Sequence, residues 1–227
     1  MAHFVLATIL CALVAYLLGS CNSSLIFVRL LKGEDIREQG SHNAGLTNAM
    51  RCYGKGMAAL TLIGDLSKGV VAVLLAKLFC HLLGAGLPMP DGADPVYAEY
   101  IAGIFAILGH MFPLFYGFKG GKGVLTGVSV FLVISPPCFL ILMAIFILLL
   151  WRSRYVSLSS VIATACCPIV TLLLHLFLYD TTTAHAWLYC GLSLLMAAPI
   201  ILKHRTNIQR LLAGTENRFS WKSKKEG

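Results

Sequence analysis

The chain has 227 residues, of which 58% are hydrophobic and 12% are charged, and its mean hydropathy is +0.80. This composition excludes a soluble globular protein and predicts an integral membrane protein. The formal net charge of +8 is informative through the positions of the basic residues rather than through its total.

Seven apolar segments follow one another, at about 4–28, 57–83, 99–116, 124–135, 138–151, 156–178 and 186–202. Most are long enough to predict membrane-spanning helices. The first lacks a basic n-region and a cleavage site, so we interpret it as a span and not as a removable signal peptide. Pro136 and Pro137 separate the fourth and fifth segments. The fourth, of about twelve residues, is too short to cross alone and is expected to pack within the bundle.

The basic residues predict the topology. Apart from Lys68 and Lys77 in the second segment, every Lys and Arg lies in the loops 29–56, 117–123 and 152–154 or in the tail after 202. With seven segments these regions share one side of the membrane, so the positive-inside rule puts the N-terminus outside and the C-terminus in the cytoplasm. We therefore predict an all-α membrane protein, a seven-helix bundle forming one domain over residues 1–219, with a disordered basic tail at 220–227.

The eight cysteines form no C-x-x-C pair, and most lie within apolar runs. We interpret them as small buried hydrophobic residues. They predict neither a disulfide framework nor a metal site, and no cofactor is expected.

The loop 33–56 interleaves glycine with neutral hydrogen-bond donors in G-S-H-N-A-G-L-T-N, followed by Arg51. Such residues suit ordinary turns, but donors close to an arginine also suit an oxyanion ligand. Asp35 and Arg37 are placed to form a local ion pair that braces the loop.

Charged and titratable residues also occur inside the apolar segments. Asp65 and Lys68 lie three residues apart on one helical face of the second segment. Charges at such depth face each other or a cavity, so a structural pair and a pair that supports a site are both open. His110 lies in the third segment, seven residues before Gly117, and a packing role and a site role are likewise open for it.

The stretch 117–126, G-F-K-G-G-K-G-V-L-T, lies between two apolar segments. Its glycines permit positive φ and let backbone N–H groups converge, and Lys119 and Lys122 add positive charge. A run of free amides before a helix that starts near Val124 predicts a phosphate site, although a flexible basic loop is the alternative. The glycine spacing does not match a Walker A loop.

In the C-terminal region, His204, Asn207 and Arg210 recur at a spacing of three, on one side of a helix predicted to continue out of the membrane. Attraction to anionic lipid explains the final lysines but not His204 and Asn207.

Five stretches of the chain, taken together, resemble one family. They are G-S-H-N-A-G-L-T-N with Arg51, D-L-S-K-G at 65–69, G-H-M-F-P-L-F-Y-G-F-K-G-G-K-G, R-Y-V-S at 154–157 and H-R-T-N-I-Q-R-L at 204–211. This family comprises the bacterial integral-membrane glycerol-3-phosphate acyltransferases that use acyl phosphate as the acyl donor. The resemblance covers nearly the whole chain and implies a small seven-helix bundle with its active site toward the cytoplasm.

The resemblance also implies a role for each matching residue. The catalytic residues would be Lys122, Ser41, His204 and Asn207. Glycerol 3-phosphate would be held by Ser41, Arg51, Lys122, His204 and Asn207. The phosphate of the acyl donor would be cradled by Asn43, Gly45, Thr47, Asn48, Gly120 and Gly121. Asp65, Lys68 and His110 would support the site.

The implied reaction moves an acyl group to the 1-hydroxyl of glycerol 3-phosphate and releases lysophosphatidic acid and inorganic phosphate, without an acyl-enzyme. This is the first step of phospholipid synthesis, in the bacterial cytoplasmic (inner) membrane. The expected partners are the two substrates, the lipid bilayer and, transiently, the soluble enzyme that makes acyl phosphate; no nucleic acid is expected.

The chain departs from the family pattern at His42, usually glycine, Leu46, usually alanine, and Ser67, often leucine. Cys21-Asn22 also replaces a more usual Ile-Pro or Ile-Thr. A side chain at position 42 is expected to tighten or shift the phosphate loop.

Two alternatives compete with this interpretation. His175 and Asp180 have the H-x-x-x-x-D spacing of a different acyltransferase family, but they lie on the side opposite the basic loops in the predicted topology. A transporter of an organic phosphate is the second, but the sequence shows no internal repeat and its polar groups cluster at one face.

Overall fold

The computed structural model describes residues 2–84, 87–89, 92–94 and 96–219. The predicted tail at 220–227 lies outside the described residues. The chain divides into two compact units, Met1–Pro136 and Pro137–Gly227. The single domain over 1–219 stays a prediction.

The described part of the first unit contains five α-helices, two short 3-10 helices and one pair of short antiparallel strands. The helices are α1 (Ala2–Ser20), α2 (Ser23–Lys32), α3 (Leu46–Leu83), α4 (Tyr97–Met111) and α5 (Val124–Ile134). The 3-10 helices are Ile36–Glu38 and Leu114–Tyr116, and the strands are β1 (Leu87–Met89) and β2 (Gly92–Asp94). The described part of the second unit contains α6 (Pro136–Ser153), α7 (Val156–Phe177), α8 (Thr183–Lys203) and α9 (Arg205–Leu212).

The prediction of a helical integral membrane protein is confirmed. Within the described residues, six helical stretches are long and apolar enough to cross a membrane, and Val124–Ile134 is a shorter apolar helix. Each of the seven apolar segments is helical. The number of crossings and the sides of the two termini stay predictions.

The first apolar segment is interrupted, which differs from the single span predicted over 4–28. α1 ends at Ser20, and α2 begins at Ser23 because the Asn22 side chain accepts a hydrogen bond from the backbone N–H of Leu25 and caps the new helix. Just before the break, a side chain at Gly19 would collide with the backbone of Ala106 on α4. Glycine therefore lets α1 and α4 approach closely.

The second apolar segment begins earlier than predicted, because α3 already starts at Leu46 inside the stretch expected to be a loop. α3 is broken at Gly54, whose φ of 79° and ψ of −172° are accessible essentially to glycine alone. The short piece before Gly54 carries Thr47, Asn48 and Arg51.

The split between the fourth and fifth segments is confirmed. α5 ends at Ile134 and α6 begins at Pro136. A proline is tolerated in the first turn of a helix, where its missing N–H is not needed, but not in the interior of a continuous one.

The core of the first unit is built from small residues on α1, α3 and α4, among them Ala7, Ala72 and Ala102. All eight cysteines lie in the described ranges and are free thiols. Cys11, Cys80, Cys138 and Cys167 are buried as expected, whereas Cys21 and Cys52 are exposed.

Candidate functional site

The loop before α3 is held in shape by Asn48. This buried side chain accepts a hydrogen bond from the backbone N–H of Ser41 (2.9 Å) and donates to the carbonyls of Ile36 (3.2 Å) and Gln39 (2.9 Å). Cys52 Sγ donates to the same amide oxygen. Since the amide group is engaged on both its oxygen and its nitrogen, Asn48 shapes the loop instead of offering free donors to a ligand.

Asp35 and Arg37 form the ion pair expected from the sequence, with Nη2 of Arg37 2.6 Å from Oδ2 of Asp35. Hydrogen bonding by Arg37 outweighs partial burial and lowers the pKa of the Asp35 carboxyl. Nη1 of Arg37 also donates to the carbonyls of Tyr116 (2.8 Å) and Lys119 (3.0 Å). The pair thus joins the loop before α3 to the glycine-rich loop, a contact that the sequence did not predict.

His42 occupies a position that favours glycine. Its φ is +57°, in the left-handed region where a Cβ atom is unfavourable. Nδ1 of His42 donates to the carbonyl of Arg37 (2.9 Å), which stabilises the turn. Glycine would adopt this positive φ without the Cβ penalty, and the hydrogen bond gives this histidine a partner within its own loop.

The glycine-rich loop does not present the predicted run of free amides. The N–H of Gly120 donates to the carbonyl of Met111 (3.1 Å), and the N–H of Gly121 donates to the carbonyl of His110 (3.2 Å). A side chain at Gly120 would collide with His110 O, and one at Gly121 with the His110 imidazole and the carbonyl of Ala44. These two glycines therefore serve close packing, which locks the loop onto α4.

The contact between Gly121 and Ala44 brings together the starts of two helices. α3 begins after Gly45 and α5 after Gly123, whose φ is +83°. In the described residues neither start has a side-chain cap. The first-turn N–H groups of a helix lack intrahelical acceptors and carry partial positive charge, so two such starts favour anionic groups.

Several residues predicted to bind substrate lie next to these helix starts in the chain. Lys122 is half-buried directly before Gly123, and Asn43 is half-buried directly before Ala44. Ser41, Thr47 and Arg51 are exposed on the loop and on the first piece of α3. Neutral donors and cations of the first unit thus flank both helix starts, which approach each other at Gly121 and Ala44.

A buried charged network lies under the glycine-rich loop. Nζ of Lys68 is 2.9 Å from Oδ1 of Asp65 and 2.7 Å from Nδ1 of His110. Lys68 also donates to the carbonyls of Gly19 (3.2 Å) and Cys21 (3.4 Å) at the break between α1 and α2. The pair therefore joins α3 to the break between α1 and α2 and, through His110, to the loop that carries Gly121, whereas its support of a substrate site stays a prediction.

Lys77, for which the sequence indicated no role, forms a separate ion pair. Its Nζ lies 3.3 Å from Oε2 of Glu99 on α4, and the Lys77 side chain is 45% exposed. This pair joins α3 to α4 away from the loops described above.

In the second unit, His204 marks a break rather than a position within one continuous helix. α8 ends at Lys203 and α9 begins at Arg205, so the helix predicted to continue out of the membrane is two helices. The buried His204 donates from Nδ1 to the carbonyl of Ile200 (2.8 Å). This bond fixes the orientation of the ring at the junction between the two helices.

Asn207 is organised by Glu216, a residue that the sequence analysis missed. Oε1 of Glu216 accepts from Nδ2 of Asn207 (2.7 Å) and from the hydroxyl of Ser157 (2.9 Å), and Oε2 accepts from Nε of Arg210 (2.7 Å). Burial alone would raise the pKa of this carboxyl, but the three hydrogen bonds together lower it. An acidic residue in an otherwise basic tail was the only signal in the sequence.

His175 packs in an aromatic cluster. Its ring lies 4.7 Å from that of Tyr189 between centroids, and its carbonyl accepts a hydrogen bond from the hydroxyl of Thr181 (2.8 Å). Among the described residues, no group of three or more His, Cys, Asp or Glu side chains is arranged to hold a metal ion.

Comparison with known proteins matches this architecture to one family. Residues 9–214 match the family model described as glycerol-3-phosphate acyltransferase. The chain is 40% identical to the glycerol-3-phosphate acyltransferase of Clostridioides difficile (strain 630) over 214 residues, covering 94% of this chain and 96% of the relative. It is 42% identical over 206 residues to the enzyme of the same name from Geobacter sulfurreducens, covering 91% and 94%.

Solved structures agree with the sequence comparison. The crystal structure of PlsY, an integral membrane glycerol 3-phosphate acyltransferase, in its glycerol 3-phosphate form superposes with a TM-score of 0.77 at 33% identity, covering 94% of this chain and 96% of that one. Its lysophosphatidic acid form superposes with a TM-score of 0.74 at 32% identity, covering 94% and 95%. The chain therefore belongs to the glycerol-3-phosphate acyltransferase family of integral membrane enzymes.

Proposed function

We propose that this enzyme transfers an acyl group from acyl phosphate to the 1-hydroxyl of sn-glycerol 3-phosphate, producing lysophosphatidic acid and inorganic phosphate. Support comes from the family, and from the related PlsY structures, which are described in glycerol 3-phosphate and lysophosphatidic acid forms. The use of acyl phosphate as the donor is the part of this proposal that goes beyond the descriptions of those relatives.

The observation that carries the proposal is the meeting of two uncapped helix starts at the contact between Gly121 and Ala44. A reaction between two phosphate-bearing substrates needs more than one anion site within reach of the reacting atoms. The described first unit supplies two sets of first-turn amides, with Arg51 and Lys122 beside them. In an acyl-CoA donor the pantetheine arm separates the phosphates from the thioester, so a second phosphate cradle close to the reacting carbonyl would not be needed.

We assign the donor phosphate to the start of α3, with the backbone of Thr47 and the side chain of Asn43 as ligands. Gly45, Asn48, Gly120 and Gly121 keep their place in this cradle as residues that shape it, since their backbone N–H or side-chain amide groups have partners inside the protein, the N–H of Gly45 donating to the carbonyl of Asn43 (3.1 Å). For glycerol 3-phosphate we assign Ser41, Arg51 and Lys122, and the role that the sequence implies for His204 and Asn207 stays a prediction.

The chemistry needs no covalent enzyme intermediate. The 1-hydroxyl oxygen of glycerol 3-phosphate attacks the acyl carbonyl carbon, the bond from that carbon to the phosphate oxygen breaks, and the departing phosphate takes the hydroxyl proton. The cations and helix starts hold the two phosphates in position and stabilise the developing negative charge.

We place the reaction in the bacterial cytoplasmic membrane, at its cytoplasmic side, as the first step of phospholipid synthesis. This placement agrees with the basic residues of the loops and tail, which the positive-inside rule puts in the cytoplasm. The water-soluble substrate would then arrive from the cytoplasm, and a soluble enzyme that makes acyl phosphate would contact this face transiently.

The test is phosphate release by the purified protein in lipid, given glycerol 3-phosphate with palmitoyl phosphate and, separately, with palmitoyl-CoA. Equal amounts of phosphate and lysophosphatidic acid formed only from palmitoyl phosphate are expected. Turnover with palmitoyl-CoA would contradict the donor assignment and would favour the alternative in which His175 and Asp180 are catalytic. Transport of glycerol 3-phosphate across a vesicle membrane without turnover would contradict the enzymatic assignment.

A further inference from the structure

Arg37 connects the two loops that the proposed function uses for phosphate binding. Its Nε and Nη2 donate to the carboxylate of Asp35, which begins the 3-10 helix Ile36–Glu38. Its Nη1 donates to the carbonyls of Tyr116 and Lys119 in the glycine-rich loop. The edge of the guanidinium group formed by Nε and Nη2 therefore faces its own loop, and the remaining nitrogen, Nη1, faces the glycine-rich loop.

Gly117 and Phe118, between those two carbonyls, adopt a conformation that contacts from outside the segment must stabilise. Gly117 and Phe118 have φ values of +65° and +58°. A non-glycine residue in the left-handed region costs about 1–2 kcal/mol, so Phe118 opposes the conformation that it adopts. Arg37 holds the carbonyls on both sides of this turn, at Tyr116 and at Lys119.

The turn determines where Lys122 lies. Lys119 is followed by Gly120 and Gly121, which are fixed to α4 through the carbonyls of Met111 and His110. With Arg37 at one end of the loop and α4 at the other, the half-buried Lys122 has a defined place at the start of α5.

Arg37 also organises the loop in which it lies. Its carbonyl accepts the hydrogen bond from His42, and its neighbour Ile36 accepts one from Asn48. Ser41, which we assign to glycerol 3-phosphate, lies between these contacts. A substitution of Arg37 would therefore remove hydrogen bonds that stabilise both loops.

We propose that Arg37 is a positioning residue that holds the two phosphate-binding loops in register, an inference that rests on the proposed function. In this role Arg37 acts through the two loops, to which its Nε, Nη1 and Nη2 donate. Lysine cannot replace it, because a single ammonium group cannot bind the Asp35 carboxylate through two nitrogens and two carbonyls of another loop at the same time.

The test uses the full-length protein in lipid and compares Arg37→Ala with Arg152→Ala, which removes an exposed guanidinium at the end of α6. We expect kcat/KM to fall about 100-fold for both substrates in Arg37→Ala, because small displacements of binding groups have effects of this size. Arg152→Ala should stay within about twofold of the wild type. Wild-type kinetics in a folded Arg37→Ala protein would overturn the inference.

Chemical rescue separates positioning from a general loss of structure. Methylguanidinium can enter the space left by the side chain and bridge Asp35 to the two carbonyls, so it should restore Arg37→Ala activity at least tenfold and leave Arg152→Ala unchanged. Absence of rescue would overturn the inference. Arg37→Lys, which keeps the charge, should remain at least about tenfold below the wild type; full activity of this variant would also overturn it, even if Arg37→Ala does not fold.

The two proposals fail in distinguishable ways. Wild-type protein that does not turn over palmitoyl phosphate contradicts the proposed donor, whereas the ratio of variant to wild-type activity, measured with whichever donor the wild type uses, tests Arg37.

Discussion

The backbone N–H of Gly121 donates to the carbonyl of His110 over 3.2 Å, and the imidazole of His110 fills the space that a side chain at Gly121 would need. The glycine-rich loop is therefore fixed against α4, and glycine is required at positions 120 and 121 by packing. This relationship leads to the first prediction.

Gly121→Ala should lower kcat/KM by about 100-fold, because the added Cβ must displace the loop from His110 and Ala44 and so move Lys122. Gly191→Ala is the matched control. Among the described residues, no atom lies within 4 Å of a Cβ built at Gly191, which lies within α8. The control should keep full activity and gain about 0.5–1 kcal/mol in its free energy of unfolding. Equal activity in the two variants would contradict the packing argument.

Lys122→Ala should remove about 100- to 1,000-fold of kcat while the protein remains folded and inserted, because the proposal makes Lys122 a stabiliser of negative charge in the reaction. Lys119→Ala is the control in the same loop, since the Lys119 side chain is exposed and only its carbonyl has a defined contact. Its activity should fall less than tenfold. Steady-state kinetics and a thermal unfolding curve measure both, and near-normal turnover by Lys122→Ala would refute its assignment.

Lys68→Met should destabilise the protein by about 3–5 kcal/mol, because it leaves the carboxylate of Asp65 buried without its cation. Asp65→Asn combined with Lys68→Met should recover part of this loss. Lys55→Met is the control, since the Lys55 side chain is exposed on the same helix and substitutions on an exposed surface usually change stability by less than about 0.5 kcal/mol. Unfolding in detergent measures all three. Similar stability for Lys68→Met and Lys55→Met would contradict the network described here.

Glu216→Gln should destabilise the second unit by about 1.5–3 kcal/mol at neutral pH, since it removes charge-assisted hydrogen bonds from Asn207 and Arg210. The pKa of Glu216 is lowered in the folded protein. Its stabilising contribution is therefore complete above the unfolded pKa of about 4.3 and is lost as the pH falls through the lower folded pKa.

The unfolding temperature of the wild type measured from neutral to acidic pH should consequently fall more steeply below pH of about 4.3 than that of Glu216→Gln. Arg205→Ala, which changes an exposed side chain at the start of α9, should follow the wild-type pH profile. Parallel profiles for Glu216→Gln and the wild type would show that this carboxylate does not stabilise the region around Asn207.

Much of this architecture was predictable from local patterns. Seven apolar runs predicted seven helical segments because burial in lipid requires a continuous apolar stretch with its backbone hydrogen bonds satisfied internally. Pro136 predicted the boundary between α5 and α6 because a proline cannot continue a helix. Motifs in a characteristic order were enough for the family, which the comparisons confirm.

The partners of the polar groups depended on tertiary structure. Gly120 and Gly121 were expected to offer free amides, yet those amides bond to Met111 and His110. Arg37 meets Tyr116 and Lys119 from about 80 residues away, and Glu216 meets Asn207 and Ser157. Composition and periodicity report which face of a helix is apolar, but a hydrogen bond between distant residues depends on how the helices pack, and packing has no local signal in the sequence.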